Sequence, residues 1–183
     1  GDTATIRYVY PAVKNYLNLW QMDEHGLVLH RSGDWDWGDW GTNIDRRVLD
    51  QCYYTLALQS ALQMAKLCGH PEDVSWYEDR IASIKAVTNG QFWNGKAYRD
   101  IAYKDETDDR VQGLAVVSGI ADSDKFDAIE KVLQTQFYAS PYTERYILDA
   151  FFLMGKPEQG LRRMKERFQV ITNSCLLYTS RRG

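Results

Sequence analysis

The chain has 183 residues, of which 44% are hydrophobic and 26% charged, and its formal net charge is −3. This composition is typical of a soluble globular domain with a substantial core. No apolar run approaches the ~18 residues of a membrane span, and the near balance of acidic and basic residues argues against a general nucleic-acid-binding surface.

Apolar residues at helical spacing predict seven helices, at about 3–20, 45–68, 72–88, 108–119, 123–135, 140–154 and 157–168. The odd-numbered helices carry one apolar stripe each, and the even-numbered helices are apolar on two sides. The last helix is expected to turn Leu161, Met164 and Phe168 inward and Arg163 toward water. Strict alternation of one-sided and two-sided helices predicts an all-α fold of outer–inner pairs, as in an α/α barrel or a helical solenoid.

The links between the predicted helices differ in length. Those that follow a two-sided helix are short, whereas the links at 21–44 and 89–107 are long. Long loops within a compact domain are usually functional. Both would lie at the N-termini of two-sided helices, beside the positive ends of their dipoles. A tight turn of a small hairpin is expected at Asn94-Gly95.

Carboxylates alternate with indoles in the first long loop, at Asp34, Trp35, Asp36, Trp37, Asp39 and Trp40. Indole faces stack on the apolar faces of sugar rings and carboxylates accept hydrogen bonds from sugar hydroxyls, so this mixture indicates a sugar pocket. One alternative is a structural loop that is anchored by buried Trp and whose Asp residues cap the next helix. Another is a calcium loop, although the spacing does not match an EF-hand.

Two helix starts supply further candidates. Asp108 and Asp109 open the fourth helix, and Tyr142 and Glu144 lie in the first turn of the sixth. These side chains are expected near the same face as the first loop, or else to serve only as helix caps and dipole partners. No metal-ligand spacing, phosphate loop or Ser or Cys nucleophile motif occurs, so we expect neither a metal nor another cofactor.

Four runs in the chain resemble the motifs of one enzyme family. They are residues 10–16, the sequence Gly38-Asp39-Trp40, residues 108–119 and residues 140–150. In this order they resemble the six-hairpin catalytic domain of bacterial α-L-rhamnosidases, glycoside hydrolase family 78. The resemblance spans about residues 1–172 and implies a partial (α/α)6 barrel. Residues 173–183 resemble translated sequencing-adaptor sequence, and we expect them to be a non-native tail rather than a frayed native terminus.

The resemblance implies hydrolysis of terminal α-L-rhamnosides with inversion, which requires an acid and a base ~6.5–9.5 Å apart. The family's acid lies in an acidic motif ending in Trp-x-Gly-Asp, and its base is a Glu that follows a Trp. Neither motif occurs in this chain, so the fragment would contain seven of twelve barrel helices and neither principal catalytic carboxylate. Glu144 is the one candidate base, although its helix-start position and the family's different base motif argue against it.

Carried over residue by residue, the resemblance places part of a sugar pocket in this chain. Asp39 and Trp40 match the family's Gly-Asp-Trp loop, whose Trp resembles a sugar-contacting residue. The other expected substrate-binding residues are Trp35, Asp36, Trp37, Asp108, Asp109 and Tyr142.

Two other functions stay open. One is an α/α-barrel glycosidase or lyase that acts on a different sugar, because a fold does not fix a substrate. The other is a non-catalytic helical module that binds carbohydrate, although repeat modules usually show internal sequence similarity that these hairpins lack. In each case the expected partner is a carbohydrate, and neither a nucleic acid nor a membrane.

Overall fold

The computed structural model describes residues 2–31, 33 and 37–180. Over these residues it contains seven α-helices: α1 (Thr3–Leu17), α2 (Arg46–Cys68), α3 (Pro71–Phe92), α4 (Asp109–Val117), α5 (Phe126–Leu133), α6 (Pro141–Leu153) and α7 (Pro157–Ser180). A 3-10 turn leads into α5. Within the same part of the chain, β pairing is limited to two isolated bridges, and the all-α prediction is confirmed.

The helices form two layers. α4 packs against both α2 and α6, which makes these three the inner layer. The outer layer comprises α1 and α3 on α2, α5 on α4, and α7 on α6. The predicted alternation of outer and inner helices is therefore confirmed. None of the helices in the described part of the chain is both long and apolar enough to cross a membrane.

Local sequence explains several helix ends. The side chains of Asp2, Asp108 and Ser140 each accept a hydrogen bond from a backbone N–H in the first turn of α1, α4 and α6. Pro141 occupies the first turn of α6, where its missing N–H costs nothing. Gly69 ends α2 in the left-handed conformation at φ 80°, which favours glycine.

Three predicted boundaries differ from the structure. α1 ends at Leu17 because the chain then turns back, and Trp20 packs on Tyr54 with ring centroids 5.8 Å apart. α3 continues past 88 to Phe92, which is buried in the core. α7 continues past 168 to Ser180, so the backbone is helical into the segment expected to be a non-native tail. That expectation about the tail stays a prediction.

α7 also presents a different face to the core than predicted. Arg163 is 3% exposed, whereas Leu161 and Met164 are 46% and 40% exposed. Gly160 faces α6 so closely that a Cβ on it would lie 3.2 Å from Phe151 Cβ. The prediction was wrong because it assigned every charged residue of α7 to water, whereas the Arg163 guanidinium finds buried carboxylates on its inner side.

The long loops meet over the N-termini of α2, α4 and α6, as expected. The backbone N–H of Asp45 donates to Asp108 Oδ2 at 3.0 Å, and that of Asp100 donates to Asp45 Oδ2 at 2.8 Å. The backbone N–H of Ser140 donates to Asp39 Oδ2 at 2.8 Å. These bonds connect both long loops to the starts of the inner helices, so one face of the molecule collects those predicted site residues that the structure describes. The Asn94-Gly95 turn is also present, below a bridge between residues 93 and 98.

The close approach of α4 to α6 depends on Gly113. A Cβ at this position would lie 2.9 Å from Ile147 Cγ1 and 3.1 Å from Ile147 Cα. Because the second of these atoms belongs to the backbone, a side chain at 113 would have to push the two inner helices apart.

We expect Gly113→Ala to lower the free energy of unfolding by about 1–3 kcal/mol, since overpacking between α4 and α6 outweighs the gain in helix propensity. Gly90→Ala is the matched control, because Gly90 lies within α3 and a Cβ there meets nothing within 4 Å. That variant should gain up to about 1 kcal/mol. Urea unfolding followed by circular dichroism measures both, and a neutral Gly113→Ala would contradict the close packing.

Candidate functional site

Asp39 anchors the first long loop to the start of α6. Its carboxylate is fully buried. Oδ2 accepts hydrogen bonds from the Thr143 hydroxyl at 2.6 Å and the Ser140 N–H at 2.8 Å, and Oδ1 accepts from the Ser140 hydroxyl and from the Trp40 N–H at 2.8 Å. Burial by itself raises the pKa of Asp39, but these hydrogen bonds outweigh it and hold the pKa below its usual value. The loop is therefore tied down by an ionised carboxylate.

Arg110 of α4 lies at the centre of the same network and is fully buried. Its Nη1 is 3.2 Å from Asp39 Oδ2, and its Nε donates to Asp108 Oδ1 at 2.7 Å. Nη2 donates to the backbone carbonyls of Thr42 and Asn43 at 2.8 and 2.6 Å. Burial raises the pKa of Asp108, and the Arg110 guanidinium offsets only part of this effect. Asp108 thus caps α4 and joins it to the first loop.

A second buried guanidinium, that of Arg163, holds Asp109 and Glu144. Nη2 donates to Asp109 Oδ2 at 2.6 Å and to Glu144 Oε2 at 3.0 Å, and Nε donates to Glu144 Oε1. Both carboxylates are fully buried. Since each oxygen of Glu144 is bound to the guanidinium and none faces solvent, the geometry argues against Glu144 as a general base.

Unlike the buried carboxylates, two of the aromatic candidates are exposed to solvent. Trp40 is 72% and Tyr142 51% exposed. Trp37 lies between them, with its ring centroid 6.0 Å from that of Trp40 and 5.2 Å from that of Tyr142, both edge to face. We call these three residues the mouth cluster. The other two loop candidates, Trp35 and Asp36, lie outside the described residues.

Asp45 belongs to the same hydrogen-bonded network, although it was not among the residues predicted from the sequence. It is the N-cap residue of α2, is 2% exposed, and lies beside Asp100 and Asp108. Burial, assisted by the negative charges of these two neighbours, raises the pKa of Asp45 to about 6. Its position at the start of the second predicted helix could have identified it, because Asp is a preferred N-cap residue.

Among the described residues, one group of His and acidic side chains is close enough together to be considered as a metal site. It comprises His70, Glu72 and Asp73, whose potential ligand atoms lie within 4.8 Å of one another. Asp73, however, accepts a hydrogen bond from the Tyr10 hydroxyl at 2.7 Å and pairs with the Lys14 ammonium. Because Asp73 is already bonded and Lys14 is a neighbouring cation, this set does not fit a metal site. The set also lies at the start of α3, in the outer layer.

The Arg163 network yields a test of its structural role. We expect Arg163→Met to lower the free energy of unfolding by about 3–5 kcal/mol, because it removes the guanidinium that pairs with the buried Asp109 and leaves the buried Glu144 with the Arg167 guanidinium at 3.6 Å. Arg162→Met is the control, since Arg162 is the adjacent α7 residue and its side chain is exposed. Its effect should stay within about 0.5 kcal/mol in urea unfolding. Equal effects of the two variants would contradict the assigned network.

The raised pKa of Asp45 predicts a pH dependence. Because the folded protein holds this proton up to about pH 6 and the unfolded chain releases it near pH ~3.9, stability contributed by Asp45 falls as pH rises through this window. Asp45→Asn keeps an acceptor oxygen and removes the ionisation. The free energy of unfolding of the variant, relative to that of wild type, should therefore increase by about 1–3 kcal/mol as the pH is raised from ~4 to ~7.5. Unfolding in urea at both pH values measures this gain. Asp124→Asn, at an exposed side chain, is the control, and a pH-independent Asp45→Asn would refute the prediction.

The chain is similar in fold to three solved rhamnosidases. The rhamnosidase from Klebsiella oxytoca with rhamnose bound is 20% identical, with a TM-score of 0.80, and the match covers 94% of this chain and 35% of that one. The family 78 rhamnosidase of Bacillus sp. GL1 is 19% identical, with a TM-score of 0.78 and coverages of 94% and 20%. The α-L-rhamnosidase from Dictyoglumus thermophilum is 19% identical, with a TM-score of 0.72 and coverages of 88% and 19%.

The chain therefore spans between about a fifth and a third of the length of these proteins. No curated protein sequence matches it significantly. The sequence model of the bacterial alpha-L-rhamnosidase 6 hairpin glycosidase domain matches residues 1–141, which is most of the chain. Together with the two layers of paired helices, this match shows that the chain belongs to the six-hairpin glycosidase domain family of bacterial α-L-rhamnosidases.

Proposed function

We propose that this chain forms part of the substrate-binding wall of an inverting α-L-rhamnosidase. The substrate is a terminal α-L-rhamnoside, and the catalytic acid and base are supplied from outside these 183 residues. Family membership supports the hydrolase class, and the rhamnose bound to the Klebsiella oxytoca rhamnosidase supports the sugar.

The mouth cluster is the observation that carries this proposal. Trp40 and Tyr142 expose large aromatic surfaces on the face where the inner helices begin. Aromatic faces stack on the C–H faces of pyranose rings. Rhamnose carries a methyl group in place of the usual hydroxymethyl group, so it offers an apolar surface that suits such a cluster. Trp35 and Asp36 are proposed as further members of this wall.

Three of the carboxylates predicted to bind substrate have an indirect role in this proposal. Asp39, Asp108 and Asp109 are buried and bonded to guanidinium groups or backbone N–H groups. They fix the positions of the first loop and of the starts of α4 and α6, and through these elements they fix the mouth cluster. Among the described candidates, the aromatic residues of the mouth cluster make the contact with the sugar.

Inversion requires two carboxyl groups ~6.5–9.5 Å apart with room for a water between them. Asp109 and Glu144 share one guanidinium, Arg163, and neither reaches solvent. This arrangement leaves no space for an attacking water, which supports placing the acid and the base elsewhere.

Trp40→Ala tests the proposal in the complete gene product that carries this sequence. We expect kcat/KM for 4-nitrophenyl α-L-rhamnoside to fall about 10–100-fold, because the variant removes the burial of an aromatic face against the sugar. Trp76→Ala is the matched control, since Trp76 is a partly exposed Trp on the outer helix α3. It should leave kcat/KM unchanged.

Unchanged kinetics in Trp40→Ala would refute the role of the mouth cluster. Preference for another aryl glycoside would favour a barrel glycosidase of different specificity, and binding of rhamnosides without turnover would favour a non-catalytic module. Turnover by the 183-residue chain alone would refute the placement of the acid and the base.

A further inference from the structure

A buried hydroxyl group lies on the inner layer near the mouth cluster. Tyr53 belongs to α2, its ring is half-buried, and its phenolic oxygen is buried without a hydrogen-bond partner among the described residues. The adjacent residue, Tyr54, faces the outer layer and donates to the Leu17 carbonyl at 3.2 Å. Of these two adjacent tyrosines, only Tyr54 has its hydroxyl hydrogen-bonded to a described protein group.

An unsatisfied buried hydroxyl is unfavourable, because the group has lost its water and gained nothing in return. Natural proteins keep few such groups, and those that persist often await a ligand or a water. Burial raises the pKa of Tyr53, and Tyr146, Tyr142 and Asp39 contribute to the shift.

Two ring contacts and one face of α6 connect Tyr53 to the mouth cluster. Tyr142 and Tyr146 are four residues apart on α6 and share one helix face. Trp37 packs on Tyr142 at 5.2 Å, and Tyr53 packs on Tyr146 at 6.0 Å, in both cases edge to face. An aromatic row therefore leads from Trp40 in the loop to Tyr53 on the inner wall, and the unsatisfied hydroxyl stands at its inner end.

We propose that the Tyr53 hydroxyl is a specificity-determining group that hydrogen-bonds a ring hydroxyl of the sugar stacked on the mouth cluster. This inference rests on the proposed function. A phenol both donates and accepts, so it suits the hydroxyl groups of a pyranose. A site group that depends on a substrate hydroxyl for its hydrogen bond discriminates against analogues that lack this hydroxyl. The aromatic faces supply attraction for any apolar sugar face, and Tyr53 selects among sugars.

Tyr53→Phe removes only the hydroxyl group. Calorimetric titration of the complete gene product with methyl α-L-rhamnopyranoside measures the effect of this variant on sugar binding. The Kd should rise about 3–10-fold. The Tm without sugar should stay equal or rise, because an unsatisfied hydroxyl has been removed. Tyr54→Phe is the matched control, and it should lower the Tm through loss of the bond to Leu17 and leave the Kd unchanged.

Monodeoxy analogues of the rhamnoside identify the partner hydroxyl. Wild type should bind one analogue more weakly than the parent sugar, and Tyr53→Phe should bind that analogue and the parent equally well. An unchanged Kd in Tyr53→Phe would refute the inference. If the Tm of that variant also fell, the hydroxyl would instead be bonded to another segment of the protein.

The proposed function and the inference fail in different ways. Loss of binding in Trp40→Ala together with an unchanged Kd in Tyr53→Phe would refute the role of Tyr53 and leave the proposed function standing. Absence of rhamnoside binding by the wild-type protein would refute both.

Discussion

Two buried guanidinium groups determine how the loops meet the inner helices. Arg110 bridges Asp39 and Asp108, and Arg163 bridges Asp109 and Glu144. The starts of inner helices attract carboxylates because their N–H groups and dipoles are positive there. Several carboxylates gathered in a buried place repel one another, and each would be costly if unpaired. The two cations make the cluster possible, and their fixed donor geometry leaves few arrangements that satisfy every oxygen.

This constraint also explains which chemistry remains available on the mouth face. Three of the predicted sugar ligands, Asp39, Asp108 and Asp109, hold the loop and the helix starts together, so their oxygens already have partners. Aromatic surface is what stays accessible, at Trp40 and Tyr142. Under the proposed function, such a wall would bind a sugar by its apolar faces and rely on carboxylates outside this chain for proton transfer.

Much of the fold could be predicted from the sequence, because a helix with one apolar stripe belongs to the outer layer and a helix that is apolar on two sides belongs to the inner layer. The caps Asp108 and Ser140 also follow local rules. The networks did not follow from such rules, because their partners are distant in sequence. Asp39 is bonded to residues 101 and 104 positions away, and Arg163 reaches a carboxylate 54 positions away. Sequence patterns place a charged residue in water unless its buried partner is known. For this reason Arg163 was predicted on the exposed face of α7, whereas it is buried.

The same limit applies to Asp39, since a carboxylate in a loop rich in Gly and Trp suits both a sugar ligand and a loop anchor. The structure shows the anchoring contacts, and they give the first turn of α6 two functions. Ser140 and Thr143 hold Asp39, while Tyr142, between them in sequence, points its ring to Trp37. One helical turn thus fixes the loop backbone and contributes a ring to the surface that the loop carries. Such coupling holds the aromatic groups in place before a ligand arrives, which lowers the entropy lost on binding. Asp39 therefore affects the mouth through position, although its carboxylate never reaches the surface.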